Sequence, residues 1–166
     1  MGHEADLVAA RFARGCRCFA VISDGAIAGY GWLSTGPEWV GELQLEIRPG
    51  AGEGYIWNCA TVHEHRRRGI FRALLVGISE IAFREGIRRL WIGSVDIPAE
   101  RAVEPSGFQA ALHFETLSLA GLHCMRVTPS AKANPKMILS GREVLGSPQQ
   151  PLRLGLSIRP ARHRNH

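Results

Sequence analysis

The alternation of apolar and polar positions divides the chain into recognisable elements. Residues 5–14 place Leu7, Val8 and Phe12 at helical spacing, and Gly15 follows where a helix would stop, so a short amphipathic helix is predicted. Two apolar runs, residues 18–22 and 26–33, flank Asp24-Gly25, a pair that tolerates positive φ and marks a tight hairpin. Residues 42–48 alternate through Leu43, Leu45 and Ile47, as a half-exposed strand does, and Pro49-Gly50-Ala51-Gly52 breaks the run. Residues 55–62 are almost wholly apolar, the pattern of a central strand covered on both faces. From Arg67 the period becomes helical, with Ile70, Leu74, Ile78, Ile81 and Ala82 on one stripe and Gly86 as the stop. That spacing predicts a helix of about five turns.

Residues 90–95 read as the next strand and residues 98–104 as a short helix with Pro98 at its start. Gly107-Phe108 opens an alternating segment to Leu119, which Ala120-Gly121 turns back into residues 122–127. The order is β-hairpin, β, β-α-β, α, β-β. It predicts an α/β (α+β) domain with a mixed, mostly antiparallel twisted sheet of about six strands and flanking helices. Beyond Pro129 the chain is rich in proline, serine, glycine and glutamine, and disorder is the default expectation for residues 130–166. One segment resists it: residues 152–158 alternate strictly through Leu152, Leu154, Leu156 and Ile158, a strand pattern. The expected organisation is one domain over residues 1–129 followed by a basic tail.

Charge changes the picture only when it is divided along the chain. Residues 130–166 carry +6, with Lys132, Lys136, Arg142, Arg153, Arg159, Arg162 and Arg164 facing Glu143 alone, and the rest of the chain, with 13 basic and 14 acidic residues, carries −1, which together make the net charge of +5. A body without a positive field argues against nucleic acid as its partner. No apolar run approaches the ~18 residues that a membrane span needs. Residues 1–6 are polar and acidic, unlike a secretory leader, so a cytoplasmic protein is expected. Cys16, Cys18, Cys59 and Cys124 lack metal-site spacing and read as reduced, mostly buried thiols. His63 and His65 flank Glu64 with no third ligand nearby, and no metal is expected.

The chemistry sits where the apolar strand enters the helix through Arg66-Arg67-Arg68-Gly69-Ile70-Phe71. The first N–H groups of a helix have no acceptor within it. Phosphate oxygens suit them, because the helix dipole adds positive charge, glycine lets backbone approach the ligand, and arginine adds charge-assisted bonds. A solvated basic surface turn is the competing reading of those residues alone.

The segment Cys59-Ala-Thr-Val-His-Glu-His-Arg-Arg-Arg-Gly-Ile-Phe-Arg-Ala-Leu-Leu75 resembles the acetyl-CoA signature of the GNAT superfamily of N-acetyltransferases. That pattern is Arg or Gln, two residues, Gly, one residue, then Gly or Ala; Arg66 and Gly69 match, and Phe71 departs. Gly107-Phe108 after a short helix resembles a later motif of the family, and the resemblance spans roughly residues 16–128. It implies a GNAT-like fold and transfer of an acetyl or short acyl group from acetyl-CoA, or another acyl-CoA, to a primary amine on a small molecule or peptide by direct attack. In the family the strand before the turn splays from its neighbour and holds pantetheine. The implied cofactor-binding residues are Cys59, Ala60, Thr61 and Val62 on the strand, and Arg66, Arg67, Arg68, Gly69, Ile70, Phe71 and Arg72 on the turn.

The same resemblance leaves the acid and base open. The position where the family often has a tyrosine acid is Val103, a common asparagine corresponds to Asp96, and a glutamate of one branch corresponds to Tyr55. The catalytic candidates are therefore Asn58, a polar residue in an apolar strand that faces either the acetyl group or a structural partner, and Glu42, which shares a strand face with Glu46. Trp32 and Trp57 are either core or the wall of an acceptor pocket. The absent tyrosine keeps alive an alternative, a non-catalytic acyl-CoA-binding sensor or interaction module.

The family begins with a strand and one or two helices before the hairpin, whereas about fifteen residues precede Arg17 here. The first strand and helix are expected to be absent, leaving a sheet edge open. Residues 152–158 would fill that edge, within one chain or by exchange in a homodimer.

Overall fold

A computed structural model of the protein describes residues 4–41, 43–94, 101–119, 122–146 and 152–156. The chain forms two compact units, residues 1–109 and 110–166.

In the first unit, helix α1 (Glu4–Ala13) precedes the hairpin β1 (Arg17–Ser23) and β2 (Ala26–Ser34). Asp24 and Gly25 take φ of 53° and 78°, the two positive values that the twist of a two-residue hairpin demands. A short ribbon follows, β3 (Glu38–Val40) against β4 (Leu45–Ile47), then β5 (Glu53–Thr61), a 3-10 turn at His63–His65, α2 (Ile70–Arg84) and β6 (Arg89–Ile92). The main sheet has the order β1-β2-β5-β6; only β5 and β6 run parallel, because α2 carries the chain back between them.

The stripe read from the sequence is the face that α2 buries. Leu74, Leu75, Ile78 and Ala82 close over Leu33 of β2 and Ile56 of β5, with Phe19, Val21, Cys59 and Phe71 packed at the margin. Full burial of such an aliphatic chain contributes about 1.5–3 kcal/mol. Of the other members of the predicted stripe, Ile70 is half-buried and Ile81 exposed.

Glu38 of β3 is buried, and its carboxylate accepts from Arg14 Nη2 at 3.0 Å and from Cys16 Sγ at 2.7 Å. It ties the ribbon to the link between α1 and β1. Arg17 of β1 pairs with Glu85 just past α2 at 2.6 Å, securing the outer strand to the helix end.

In the second unit, β7 (Leu112–Leu119) and β8 (Leu122–Pro129) form a long hairpin, helix α3 spans Pro135–Val144, and β9 (Leu152–Leu156) pairs antiparallel with β8. Met125, Val127, Val144 and Leu145 are buried. Two expectations are corrected here. The segment after Pro129 contains a helix rather than only disordered chain: Asn134 caps it by accepting from Met137 N–H at 2.9 Å, and Pro135 occupies the first turn, where no N–H is needed. Residues 152–156 do form a strand, but they pair with β8 and not with the open edge at β1. Residues 157–158 lie outside the described ones. The mixed, mostly antiparallel character is as expected, with the strands divided among a four-stranded sheet, a two-stranded ribbon and a three-stranded sheet. Among the described residues no helix is long and apolar enough to cross a membrane.

Candidate functional site

Strand β5 is clamped to β6 at one end and parts from it at the other. Pairing runs from Glu53 opposite Arg89 to Ile56 opposite Ile92. Glu53 fixes that end, accepting from Arg89 Nη1 at 2.9 Å and from Trp91 Nε1 at 2.8 Å. β6 ends at Ile92, whereas β5 continues through Trp57, Asn58, Cys59 and Ala60 to Thr61, roughly 16 Å of strand at 3.3 Å per residue. Among the described residues that stretch has no strand partner on its outer side.

The bend has a local cause. On its inner side β5 keeps pairing with β2, but Tyr30 lies opposite Ala60 while Trp32 lies opposite Trp57, so Asn58 and Cys59 together face Gly31. Two residues against one is a bulge, which bends its strand and strengthens the local twist. Asn58 accommodates it at φ 44°, a region asparagine tolerates better than its apolar neighbours do. Beyond Thr61 the chain turns sharply. Val62 donates its N–H to Ala28 at 2.9 Å and accepts from His65 N–H at 2.9 Å, so both its backbone groups are engaged within the protein.

The turn into α2 holds two left-handed residues, Arg67 at φ 61° and Gly69 at φ 76°. The helix ladder begins with Ala73 N–H donating to the Gly69 carbonyl at 2.9 Å, so the N–H groups of Gly69, Ile70, Phe71 and Arg72 precede it. A Cβ on Gly69 would meet nothing within 4 Å; the space before the turn is open. Arg66 reaches back with Nε to the Thr61 carbonyl at 3.4 Å. None of Arg66, Arg67, Arg68 and Arg72 forms an ion pair among the described residues. Consecutive backbone donors, a dipole end and uncompensated guanidinium groups make this a fitting cradle for a polyanion such as pyrophosphate. Phe71 breaks the small-residue pattern without closing the turn, because its side chain packs against the core.

The opposite face of the sheet carries a cluster that sequence spacing did not reveal. Arg11 of α1 places its guanidinium carbon 5.0 Å from the Trp32 ring centroid and 4.5 Å from that of Trp57. Phe12 adds a tilted contact to Trp32 at 5.1 Å. With its amide oxygen turned to the cation, Asn58 accepts from Arg11 Nη1 at 2.7 Å and Nη2 at 2.8 Å. Trp32 is buried and Trp57 half-buried, with Trp57 Nε1 enclosed and lacking an acceptor among the described residues.

The other candidates fall elsewhere. Glu42 and Asp96 lie outside the described residues, and Glu46 pairs with Arg48. Val103 packs against the α2 core, and Tyr55 is buried. Burial pushes the Cys59 thiol up to about 12, outweighing a backbone hydrogen bond from Trp32 that favours the thiolate.

The geometry has counterparts among known proteins. No curated protein sequence matches the chain. Among solved structures, a protein from Agrobacterium tumefaciens assigned as an acetyltransferase is 20% identical with a TM-score of 0.53, over 72% of this chain and 81% of that one. A Trypanosoma brucei acetyltransferase is 20% identical with a TM-score of 0.51, over 69% and 77%. Aminoglycoside N-acetyltransferase AAC(6')-Iy, in complex with CoA, is 15% identical with a TM-score of 0.51, over 70% and 83%. At these identities the likeness concerns the fold. The model of the acetyltransferase (GNAT) family matches residues 3–108, well over half of the chain. With the strand, the bulge and the arginine turn all inside that span, the chain belongs to the acetyltransferase (GNAT) family.

Proposed function

We propose that the protein transfers an acetyl or short acyl group from acyl-CoA to a primary amine by direct attack. The observation that carries this reading is the continuity of the unpaired outer edge of β5 with the open arginine turn at the start of α2. Cys59, Ala60 and Thr61 would hold the pantetheine arm as a substitute strand partner, with Val62 contributing only its side chain. Arg66, Arg67, Arg68, Gly69, Ile70, Phe71 and Arg72 would hold the pyrophosphate. A bound acyl-CoA supplies an activated thioester. The protein's part is to orient it beside the bulge, exclude water with Trp57, and present a backbone donor to the thioester oxygen. Cys59 stays a thiol and takes no covalent part. Asn58, engaged by Arg11, positions the bulge rather than moving a proton. Glu42 remains a proposed base.

The setting that fits is the cytoplasm, where acyl-CoA is available to a protein with free thiols such as Cys16, Cys18 and Cys59. A homodimer paired along β1, the outer strand of the main sheet, belongs to the same proposal. One observation favours a second reading, acyl-CoA binding without turnover: Val103 is packed in the core and offers no acid.

The test is thiol release from acetyl-CoA across a panel of primary amines, run beside calorimetric titration with CoA. Turnover with at least one amine is expected. Binding without release for every amine would establish the sensor instead, and absence of CoA binding would overturn both.

A further inference from the structure

Among the described residues Arg11 is a cation without a counter-ion. Its side chain meets the Asn58 amide oxygen and two indole rings and lies near the Cys18 thiol, and no carboxylate among the described residues pairs with it. One amide oxygen leaves the remaining N–H donors of the half-buried guanidinium without a protein acceptor among the described residues. Trp57 adds another spare donor, Nε1, enclosed and without an acceptor among the described residues. Buried polar groups in folded proteins are nearly always bonded, so an orphan donor beside an uncompensated cation is unusual.

The cluster is also well held. Arg11 is fixed by two bonds at 2.7 and 2.8 Å and by two rings, so little side-chain freedom is left to lose on binding. It touches β5 at Trp57 and Asn58, immediately past Ile56, where pairing with β6 ends. The arginine turn lies beyond the other end of the unpaired stretch, after Thr61. An arm running from that turn along β5 would bring its acyl end toward Trp57, and hence toward Arg11.

We propose that Arg11, with Trp57 Nε1, binds a carboxylate on the amine acceptor. The inference rests on the acyl-transfer reading and names its substrate class: amines that carry a carboxylate near the nitrogen, such as amino acids or acidic peptide termini. A carboxylate accepts from a guanidinium by charge-assisted bonds, and the adjacent indole N–H supplies a third. The tryptophans displace water around the pair and so strengthen it.

The experiment has a binding arm and a turnover arm. N-acetylated α-amino acids and their amides are titrated into the CoA-loaded protein, read by tryptophan fluorescence, which Trp32 and Trp57 make sensitive at this position. Charge-assisted bonds predict that the acid binds about tenfold or more tightly than its amide. Arg11→Gln should abolish the difference, Arg11→Lys should keep part of it, and Trp57→Phe, which retains a ring but removes the N–H, should reduce it. Equal binding of acid and amide by the wild-type protein, or binding of neither, overturns the proposal without any variant having to fold. In the turnover arm, α-amino acids are compared with their amides. Acetylation without preference for the acid leaves acyl transfer standing and sinks the carboxylate site. A preference in binding that Arg11→Gln removes, with no amine turned over, keeps the site and sinks acyl transfer.

Discussion

Gly31 faces Cys59 across the β2 and β5 pair so closely that a Cβ on Gly31 would lie 2.7 Å from Cys59 Sγ and 3.1 Å from Leu74 Cδ2. The bulge that sets Asn58 and Cys59 opposite a single residue therefore needs that residue to have no side chain. β2, β5 and α2 are locked at one point.

Gly31→Ala is expected to destabilise the protein by about 1–3 kcal/mol through overpacking. Combined with Cys59→Ala, which removes the sulfur, the cost should shrink well below the sum of the single changes. Urea denaturation of the four proteins in the cycle measures this; strict additivity would show that the two positions do not press on each other.

Asn58 tests the bulge from the other side. At φ 44°, Asn58→Gly should be tolerated by the backbone, whereas Asn58→Val should cost roughly 1–2 kcal/mol more, since a β-branched residue is poorly accommodated there. Thermal melts of both variants decide it. Both should also lose kcat, because each releases Arg11.

Gly69→Asp places a carboxylate where phosphate is expected, in a turn with free space around it. CoA affinity should fall by about a hundredfold or more, while Gly69→Ala loses roughly tenfold from its strained positive φ. Calorimetry reads both. Unchanged affinity in Gly69→Asp would mean that the turn does not hold the cofactor.

Cys59 gives a pH dependence whose sign follows from burial. Its thiol is raised from 9.0 to about 12 in the folded protein, so above pH 9 the unfolded chain releases this proton more readily than the native one. The stability contribution is complete below pH 9 and is lost as pH rises toward 12. Cys59→Ala should flatten that decline in a series of melts from pH 8 upward. An equal slope in the variant would assign the loss to other groups. By the same physics Cys59 should be alkylated slowly in the native protein.

Glu38→Ala should cost more than Arg14→Ala. The carboxylate is 3% exposed and the guanidinium 50% exposed, so removing Glu38 leaves a vacated buried position and takes away the acceptor of the Cys16 thiol, whereas removing Arg14 costs a contact that water already weakens. A loss of about 2 kcal/mol for Glu38→Ala in equilibrium unfolding is expected. Equal costs for the two would argue that the ion pair, rather than the burial, matters.

Much of this was legible because it is local. Asp24-Gly25 specifies its turn by its own backbone preference, and the stripe through Leu74 and Ile78 specifies the buried face of α2 by periodicity alone. The arginine turn was visible for the same reason: its donors and charges are consecutive in sequence. Misreadings arose where one residue type serves two purposes. Pro135 counted toward disorder, yet after Asn134 it is a helix start. Glu38 carries no local signal of its burial, which Arg14 and Cys16, distant in sequence, make feasible.

The sequence by itself determined the elements of the arginine turn, its hairpin and its long helix, since these follow from nearest-neighbour sterics and a repeating period. Only the tertiary structure decided that Asn58 sits in a bulge, that β5 leaves β6 after Ile56, and that Arg11 is caged by Trp32, Trp57 and Asn58. Those contacts join residues separated by tens of positions. No local preference encodes them; they exist because burying the sheet and α2 together fixes which side chains meet.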